Sequence, residues 1–195
     1  MRVLSIICLI FAAGSACAFT VSGSTYMTNG SQSDVQAACN AAPDNGTVTV
    51  AIPNGAYSWT GKLTIKKSLA LAGASATGVK INNNFASGDM IEATASAKGN
   101  VNIYWLNITQ IANNRGGAGF MISADRMESS SHTVLIHDCT FNVGAVNSYS
   151  VVARANGIIF WNDQFVSGNT GIYFSCDKYG PTSSWNTPDS YGTQD

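Results

Sequence analysis

An all-β fold of stacked parallel coils is predicted by three features of this 195-residue sequence. Short apolar stretches separated by turn residues run along most of the chain, and several of them alternate with polar residues. An eight-residue pattern recurs at 101–108, 134–141 and 158–165. A single stretch, 33–42, has helical spacing. A repeat of this size cannot cover its own apolar face, so the repeats are expected to stack.

Residues 1–18 are typical of a secretory signal peptide. Arg2 precedes an apolar run over 3–13, and residues 16–18 have the A-x-A form of a cleavage site. The run is shorter than the roughly 18 apolar residues that a membrane span needs. We therefore expect a secreted protein, extracellular or periplasmic, with no membrane span and a single domain over 19–195.

The low charge of the chain argues against one class of partner. Charged residues make up 11% of the sequence and the net charge is −1, whereas about a quarter of an average protein is charged. Because a nucleic-acid-binding surface needs clustered positive charge, we expect no nucleic-acid partner. Gly, Asn, Ser and Thr take the place of charge, which indicates an all-β extracellular protein.

Three cysteines follow the leader: Cys39, Cys139 and Cys176. An odd number without paired spacing predicts neither a disulfide framework nor a metal site. At most one bridge can form, and we favour a small buried hydrophobic side chain for each. The less favoured alternative is a lipoprotein signal with the lipid attached at Cys17. Such a signal has Leu three positions before the cysteine, and this sequence has Gly14 there.

The predicted helix over 33–42 starts with Ser33 and Gln36 at capping-box spacing. Its apolar residues recur at i, i+3, i+4 and i+7 and so form one stripe of small side chains. Pro43 and the turn at 44–46 end it. A helix of this kind is suited to cover the open end of a stack of strands. The stripe consists of Val35, Ala38, Cys39 and Ala42.

In the first half, short strands are predicted at 47–52, 63–65, 69–71, 79–81 and 90–91. In the second half each eight-residue block holds two strands joined by a tight turn, and a third strand follows at 119–122, 150–153 and 171–174. Stacking in register would place equivalent apolar residues in interior columns. These columns are Val101, Val134 and Ile158, and Ile103, Ile136 and Phe160.

The stretches 46–57 and 69–74 and the V-x-I-x-x-C-x-F block at 134–141 resemble the coils of the pectate-lyase-like (pectin lyase fold) superfamily. The resemblance extends over nearly the whole chain after the leader. It implies a right-handed parallel β-helix with three strands per coil, a short N-terminal capping helix and a polysaccharide partner. It implies no single activity, because the superfamily includes lyases, hydrolases, esterases, epimerases and non-catalytic surface proteins.

The run 184–195 is rich in turn residues and contains no closing helix or polar strand. Solenoids need a cap at both ends, since an uncapped coil exposes an apolar edge. We therefore expect a solenoid truncated at the C-terminus that would be a monomer at full length. A monodisperse, cooperatively folded monomer of these residues alone would contradict this expectation.

Candidate ligand-binding rings lie on the first strand of each block. Alternation directs Tyr104, His137 and Trp161 outward in one column, at the roughly 4.7–4.9 Å spacing of neighbouring strands. Such rings are suited to form an apolar platform for sugars. The alternative is that they only cover the strand against a loop.

Trp105, Asp138 and Asn162 occupy position five of the blocks, at the tight turn. Asn162 and Asp138 suit a left-handed turn conformation, which is a structural role. Asp163 at position six should point inward, where a carboxylate needs partners or a raised pKa. Of the two explanations, satisfaction by turn amides or a one-residue slip in register, we favour the slip.

Asp125, Arg126 and Arg154 are the charged candidates for ligand binding, with surface ion pairs or solvated loop charges as the commoner alternative. A polysaccharide lyase needs a base and positive charge, commonly Ca²⁺ held by carboxylates. A glycoside hydrolase needs two carboxyl groups that flank the glycosidic bond. The sequence displays neither constellation, so catalytic residues and metal ligands are not assigned, and Ca²⁺ is expected only if the protein is a lyase.

The leading hypothesis is a secreted protein that binds or degrades extracellular polysaccharide, and an enzyme of this kind would be a lyase or a glycoside hydrolase. The alternative is a non-catalytic module used in adhesion or surface structure. A groove lined by Asp, Arg or Lys from neighbouring coils would favour the enzyme. A smooth outer face of Asn, Thr and Ser would favour the module.

Overall fold

A computed structural model describes residues 19–85, 88–96, 98–111, 121–126, 132–142, 149–153, 158–166 and 170–174. For 126, 149, 150, 152, 153 and 170–174 it describes the backbone. The predicted leader at 1–18 and the terminal run at 184–195 lie outside these residues, as do Cys176 and Arg154.

The described chain contains the helix α1 (Gln32–Ala41) and short strands. The strands are β1 (Thr20–Ser22), β2 (Thr25–Met27), β3 (Thr49–Ile52), β4 (Gly55–Trp59), β5 (Leu63–Ile65), β6 (Ala70–Gly73), β7 (Val79–Asn83), β8 (Ile91–Ala95), β9 (Val101–Tyr104), β10 (Asn107–Gln110), β11 (Ile122–Arg126), β12 (Val134–His137), β13 (Thr140–Asn142), β14 (Tyr149–Ala153), β15 (Ile159–Trp161), β16 (Gln164–Val166) and β17 (Thr170–Phe174).

The strands form three sheets, and from β3 onward successive strands enter the sheets in rotation. Sheet A has the order β1-β2-β3-β6-β9-β12-β15, sheet B β16-β13-β10-β7-β4 and sheet C β17-β14-β11-β8-β5. The β1–β2 pair is antiparallel, and the other pairs of named strands are parallel. Each strand from β3 to β14 therefore pairs with the strand three places later. The prediction of a mostly β chain with parallel sheets is confirmed.

The register agrees with the predicted interior columns. Val134 pairs with Val101, and Ile136 pairs with both Ile103 and Phe160. The four valine and isoleucine side chains are completely buried. Burial of a side chain of this size contributes roughly 1.5–3 kcal/mol. Like side chains therefore touch like through the interior from one repeat to the next.

The helix covers the first strand of sheet C, but it starts differently from the prediction. Ser31, and not Ser33, is the N-cap residue, and its hydroxyl accepts a hydrogen bond from the Asp34 N–H. Gln36, the other half of the expected capping box, instead bonds β5. Its Nε2 donates to the Thr64 carbonyl at 3.0 Å and its Oε1 accepts from the Thr64 N–H at 2.7 Å.

These two bonds place the Gln36 amide where a neighbouring strand would otherwise pair with the outer edge of β5. The predicted apolar stripe of the helix is confirmed as buried. The helix thus closes an exposed sheet edge, which is the role expected of a cap at the end of stacked strands.

The predicted third strands differ from the observed ones in their bounds. β11 begins at Ile122, which is the last residue of the strand predicted at 119–122. Residue 119, where that predicted strand began, lies outside the described part. β14 and β17 each begin one residue before the prediction.

Candidate functional site

The three predicted rings share one column on the outer face of sheet A. His137 pairs in register with Tyr104 on one side and with Trp161 on the other. The Tyr104 and His137 rings are stacked, with centroids 4.8 Å apart and planes 15° from parallel. The residue pattern therefore located these side chains correctly relative to one another.

The stacking decides which ring surfaces a ligand can reach. In a stacked pair each ring covers one face of the other. Tyr104 and His137 therefore leave less ring surface open to a ligand than the predicted apolar platform would. Trp161 is 69% exposed and presents most of its indole to solvent. The Trp105 ring lies edge-on to Tyr104, with centroids 5.2 Å apart and planes at 83°, and Trp105 is 38% exposed. The accessible aromatic surface thus belongs mainly to the two tryptophans.

Left-handed turns join the first and second strands of these repeats. Trp105, Asp138 and Asn162 have φ values of 59°, 54° and 52°. The prediction for Asp138 and Asn162 is confirmed, and it rests on the ability of short polar side chains to adopt this conformation. Trp105 is a bulky residue for which the conformation is a real outlier. The shared geometry brings the position-five residues of consecutive repeats next to each other.

Asp138 joins the ring column to this turn. Its Oδ2 lies 2.7 Å from His137 Nδ1, and its Oδ1 accepts a hydrogen bond from Asn162 Nδ2 at 2.5 Å. The Asp138 N–H also donates to the Trp161 carbonyl at 3.0 Å. The bond to His137, followed by the bond to Asn162, lowers the pKa of the Asp138 carboxyl below its usual value. An ionised carboxylate is therefore bonded to His137, the ring residue that pairs in register with Trp161.

Asp163 stays in register, and the favoured explanation of a slip is wrong. Ile136 pairs with Phe160 before it, and Phe141 pairs with Phe165 after it. Asp163 therefore occupies the inward position that Cys139 fills one repeat earlier. The Cys139 N–H donates to Asp163 Oδ1 at 2.8 Å, which supports the other explanation, satisfaction by a turn amide.

The second oxygen of this carboxyl is different, because Asp163 Oδ2 is buried and has no hydrogen-bond partner among the described residues. Burial raises the pKa of the Asp163 carboxyl to about 6, against the opposing effect of the backbone N–H bonds that it accepts. The environments of Asp138 and Asp163 thus move their pKa values in opposite directions. Such a separation is found in acid–base pairs of enzymes, but here Asp138 faces solvent and Asp163 faces the interior. They do not flank a common sugar-binding position.

Two of the charged candidates, Asp125 and Arg126, lie in sheet C. Asp125 lies in β11 of sheet C, opposite Thr94, and is only 5% exposed. Asp125 is therefore enclosed, and the expectation of a solvated loop charge is wrong for it. Arg126 ends β11 opposite Ala95, and its side chain lies outside the described part. The structure does not bring Asp125 to the ring column of sheet A.

The outer face of sheet B carries a ladder of small polar residues. Ser58, Asn82, Thr109 and Asn142 follow one another in register across β4, β7, β10 and β13. Their alternation with buried neighbours places them on the solvent side. This column of Ser, Asn and Thr is the kind of surface expected of a non-catalytic module, and the exposed Lys80 lies on the same face, paired with Ala56 and Asn107.

The two described cysteines, Cys39 and Cys139, are buried and unbridged, in agreement with the preferred prediction. Burial raises the pKa of each thiol to about 12. Because the thiolate is the reactive form, neither is a candidate nucleophile or metal ligand. Within the described ranges no group of three or more His, Cys, Asp or Glu residues is placed to hold a metal ion.

Comparison of the chain with known protein families, with curated proteins and with solved structures finds no match in any of the three. In the part of the chain that the structure describes, no helix has the length and apolar character required to cross a membrane.

The sequence-based prediction missed two features of the site. It assigned Trp105 no ligand-binding role, although its indole is one of the two accessible ones. It also gave Asp138 a purely structural role, whereas the carboxylate links His137, Asn162 and the strand that carries Trp161. The available signal was the recurrence of position five at the turn, directly after the ring column.

Proposed function

We propose that this protein is a secreted right-handed parallel β-helix of the pectate-lyase-like superfamily that binds an extracellular polysaccharide. The proposed site consists of the Trp161 indole and of the polar group formed by His137, Asp138 and Asn162, with the Trp105 indole two coils away along the stack. The family and the secreted location rest on the resemblance and on the leader described above.

The strand order supports the β-helix. A chain that enters three parallel sheets in rotation and returns to the first sheet one strand further along describes a coil. Crossover connections between parallel strands of one sheet are right-handed in about 98% of cases. The helix that covers β5 supplies the expected N-terminal cap.

The observation that carries the proposed activity is the 69% exposed Trp161 beside hydrogen-bonding groups. Aromatic rings pack against the apolar faces of sugars, and neighbouring polar groups bond their hydroxyls. Binding is favoured over cleavage because Asp138 faces solvent and Asp163 faces the interior. The two carboxyls differ in pKa as a catalytic pair would, but they cannot act on the same bond.

The second candidate is the non-catalytic surface or adhesion module. The observation in its favour is the polar ladder on sheet B that begins with Ser58 and ends with Asn142. A flat face of this kind suits lateral contact with another extended surface. This candidate uses sheet B and does not require Trp161, whereas the proposed polysaccharide site lies on sheet A and includes Trp161.

Affinity electrophoresis of the full chain in gels that contain a panel of chemically distinct polysaccharides tests the first proposal. Loss of the Trp161 ring should remove roughly 1.5–3 kcal/mol of contact with a ligand, so Trp161→Ala is expected to weaken retardation at least about tenfold. Ile159→Ala is the matched control, because Ile159 lies on the same strand, is 47% exposed and has no ring. Failure of every polysaccharide to retard the wild-type chain would refute the proposal, as would equal retardation of Trp161→Ala.

A further inference from the structure

The site that borders Trp161 has a definite charge. Asp138 lies next to Trp161 through the backbone bond between its N–H and the Trp161 carbonyl. Its side chain is 31% exposed, so the carboxylate is partly open to a ligand on the same face. Each oxygen accepts one bond from the protein, from His137 or from Asn162. Because a carboxylate oxygen has two lone pairs, each oxygen keeps the capacity to accept a further donor.

Among the described residues, the strands that carry the ring column add little to this charge. The strands β9, β12 and β15 consist of apolar and neutral polar residues together with His137. A ligand on Trp161 therefore meets ring surface, the His137 edge, the Asn162 amide and a negative charge. Hydroxyl groups, which can donate to a carboxylate, are favoured in this position. A ligand carboxylate would be repelled.

We infer that the site selects uncharged, hydroxyl-rich glycan units over uronates. This inference rests on the proposed function, because it names the substrate class of the same site. It also separates this protein from an acidic-polysaccharide binder, in which positive charge would lie beside the rings.

Matched probes test the inference directly. Homogalacturonan in its fully methyl-esterified form and the de-esterified polygalacturonate have the same sugar backbone and differ in charge. We expect the ester to bind the wild-type chain about threefold to tenfold more tightly than polygalacturonate does at low ionic strength. This is the range expected for two like charges a few ångströms apart near water. Xylan without uronate branches serves as a second uncharged probe.

The substitution Asp138→Asn supplies the second measurement. It removes the charge and keeps an oxygen that can accept a bond from Asn162. The variant is expected to lose most of the preference, so that the ratio of the ester's affinity to that of polygalacturonate falls toward one. For the wild-type chain, a rise in salt from about 10 mM to 0.3 M should strengthen binding to polygalacturonate, because salt screens repulsion.

The outcomes separate this inference from the proposal on which it rests. Equal or tighter binding of polygalacturonate, weakened by salt, would overturn the selection for neutral glycans and leave polysaccharide binding in place. Binding of the ester or xylan that Trp161→Ala retains in full would overturn the site itself. The salt series uses the wild-type chain, so it decides the question even if Asp138→Asn fails to fold.

Discussion

The Asp163 carboxyl provides a test of the register that does not depend on any ligand. It lies in an interior column, accepts the Cys139 N–H at 2.8 Å, and has a second oxygen without a partner among the described residues. Burial raises its pKa from 3.8 to about 6. The folded chain therefore favours the protonated, neutral form of this group more than the unfolded chain does.

The sign of the pH dependence follows from proton binding. Between pH 4 and pH 6 the folded state holds more protons on Asp163 than the unfolded state, so the free energy of unfolding falls as pH rises. A difference of about two pH units corresponds to ~3 kcal/mol at 1.36 kcal/mol per unit. Because the side chain is only partly buried, solvent screening reduces the expected effect to ~1–2 kcal/mol.

The substitution Asp163→Asn keeps an oxygen that can accept the Cys139 N–H but removes the ionisable group. We expect the wild-type chain to lose ~1–2 kcal/mol of stability attributable to Asp163 between pH 4 and pH 7, and the variant to lack this component. At pH 7.5 the variant should be the more stable of the two. Urea unfolding followed by tryptophan fluorescence at half-unit intervals of pH measures both profiles.

The difference between the two profiles isolates Asp163, because the other titratable groups are common to both chains. Asp138→Asn is the control. The Asp138 pKa is lowered, so its contribution to stability is lost as pH falls through its ordinary value, at the lower edge of this window and with the opposite sign to that of Asp163. Identical slopes for wild type and Asp163→Asn between pH 4 and pH 7 would refute the inward position of Asp163.

Two further tests of the fold use substitutions, one at Gly73 with Gly23 as its control and one at Gln36. Gly73→Ala should destabilise the chain by ~1–3 kcal/mol or more, because a Cβ at this position would collide with the Trp105 carbonyl. The same change at Gly23, where a Cβ meets open space but φ is +60°, should cost only ~1–2 kcal/mol in urea unfolding. Gln36→Ala should lower stability by ~1–3 kcal/mol through loss of its two bonds to Thr64. Hydrogen exchange at the Thr64 N–H should then accelerate, and unchanged protection would contradict the capping role.

The sequence by itself determined the repeating plan of the chain. Side chains alternate between the two faces of a strand with a period of two, so residues such as Val134 and Ile136 reveal their interior position locally. Asn162 could be assigned to a left-handed turn for a similar reason, since the preference belongs to the residue type. The apolar stripe of the helix could likewise be predicted from nearby residues alone, because it follows from the 3.6-residue period of a helix.

Contacts between distant residues were decided only by the tertiary structure. Gln36 bonds Thr64 and not the helix start, because packing brings β5 within reach of its amide. Asp163 remains in register because the pairs around it, Phe160 with Ile136 and Phe165 with Phe141, stabilise the alignment despite a buried carboxyl. The accessible face of Trp161 and the enclosure of Asp125 likewise depend on which neighbours the fold places against them. Local propensity carries no information about such neighbours, since they are far apart in the chain and meet only when the sheets stack.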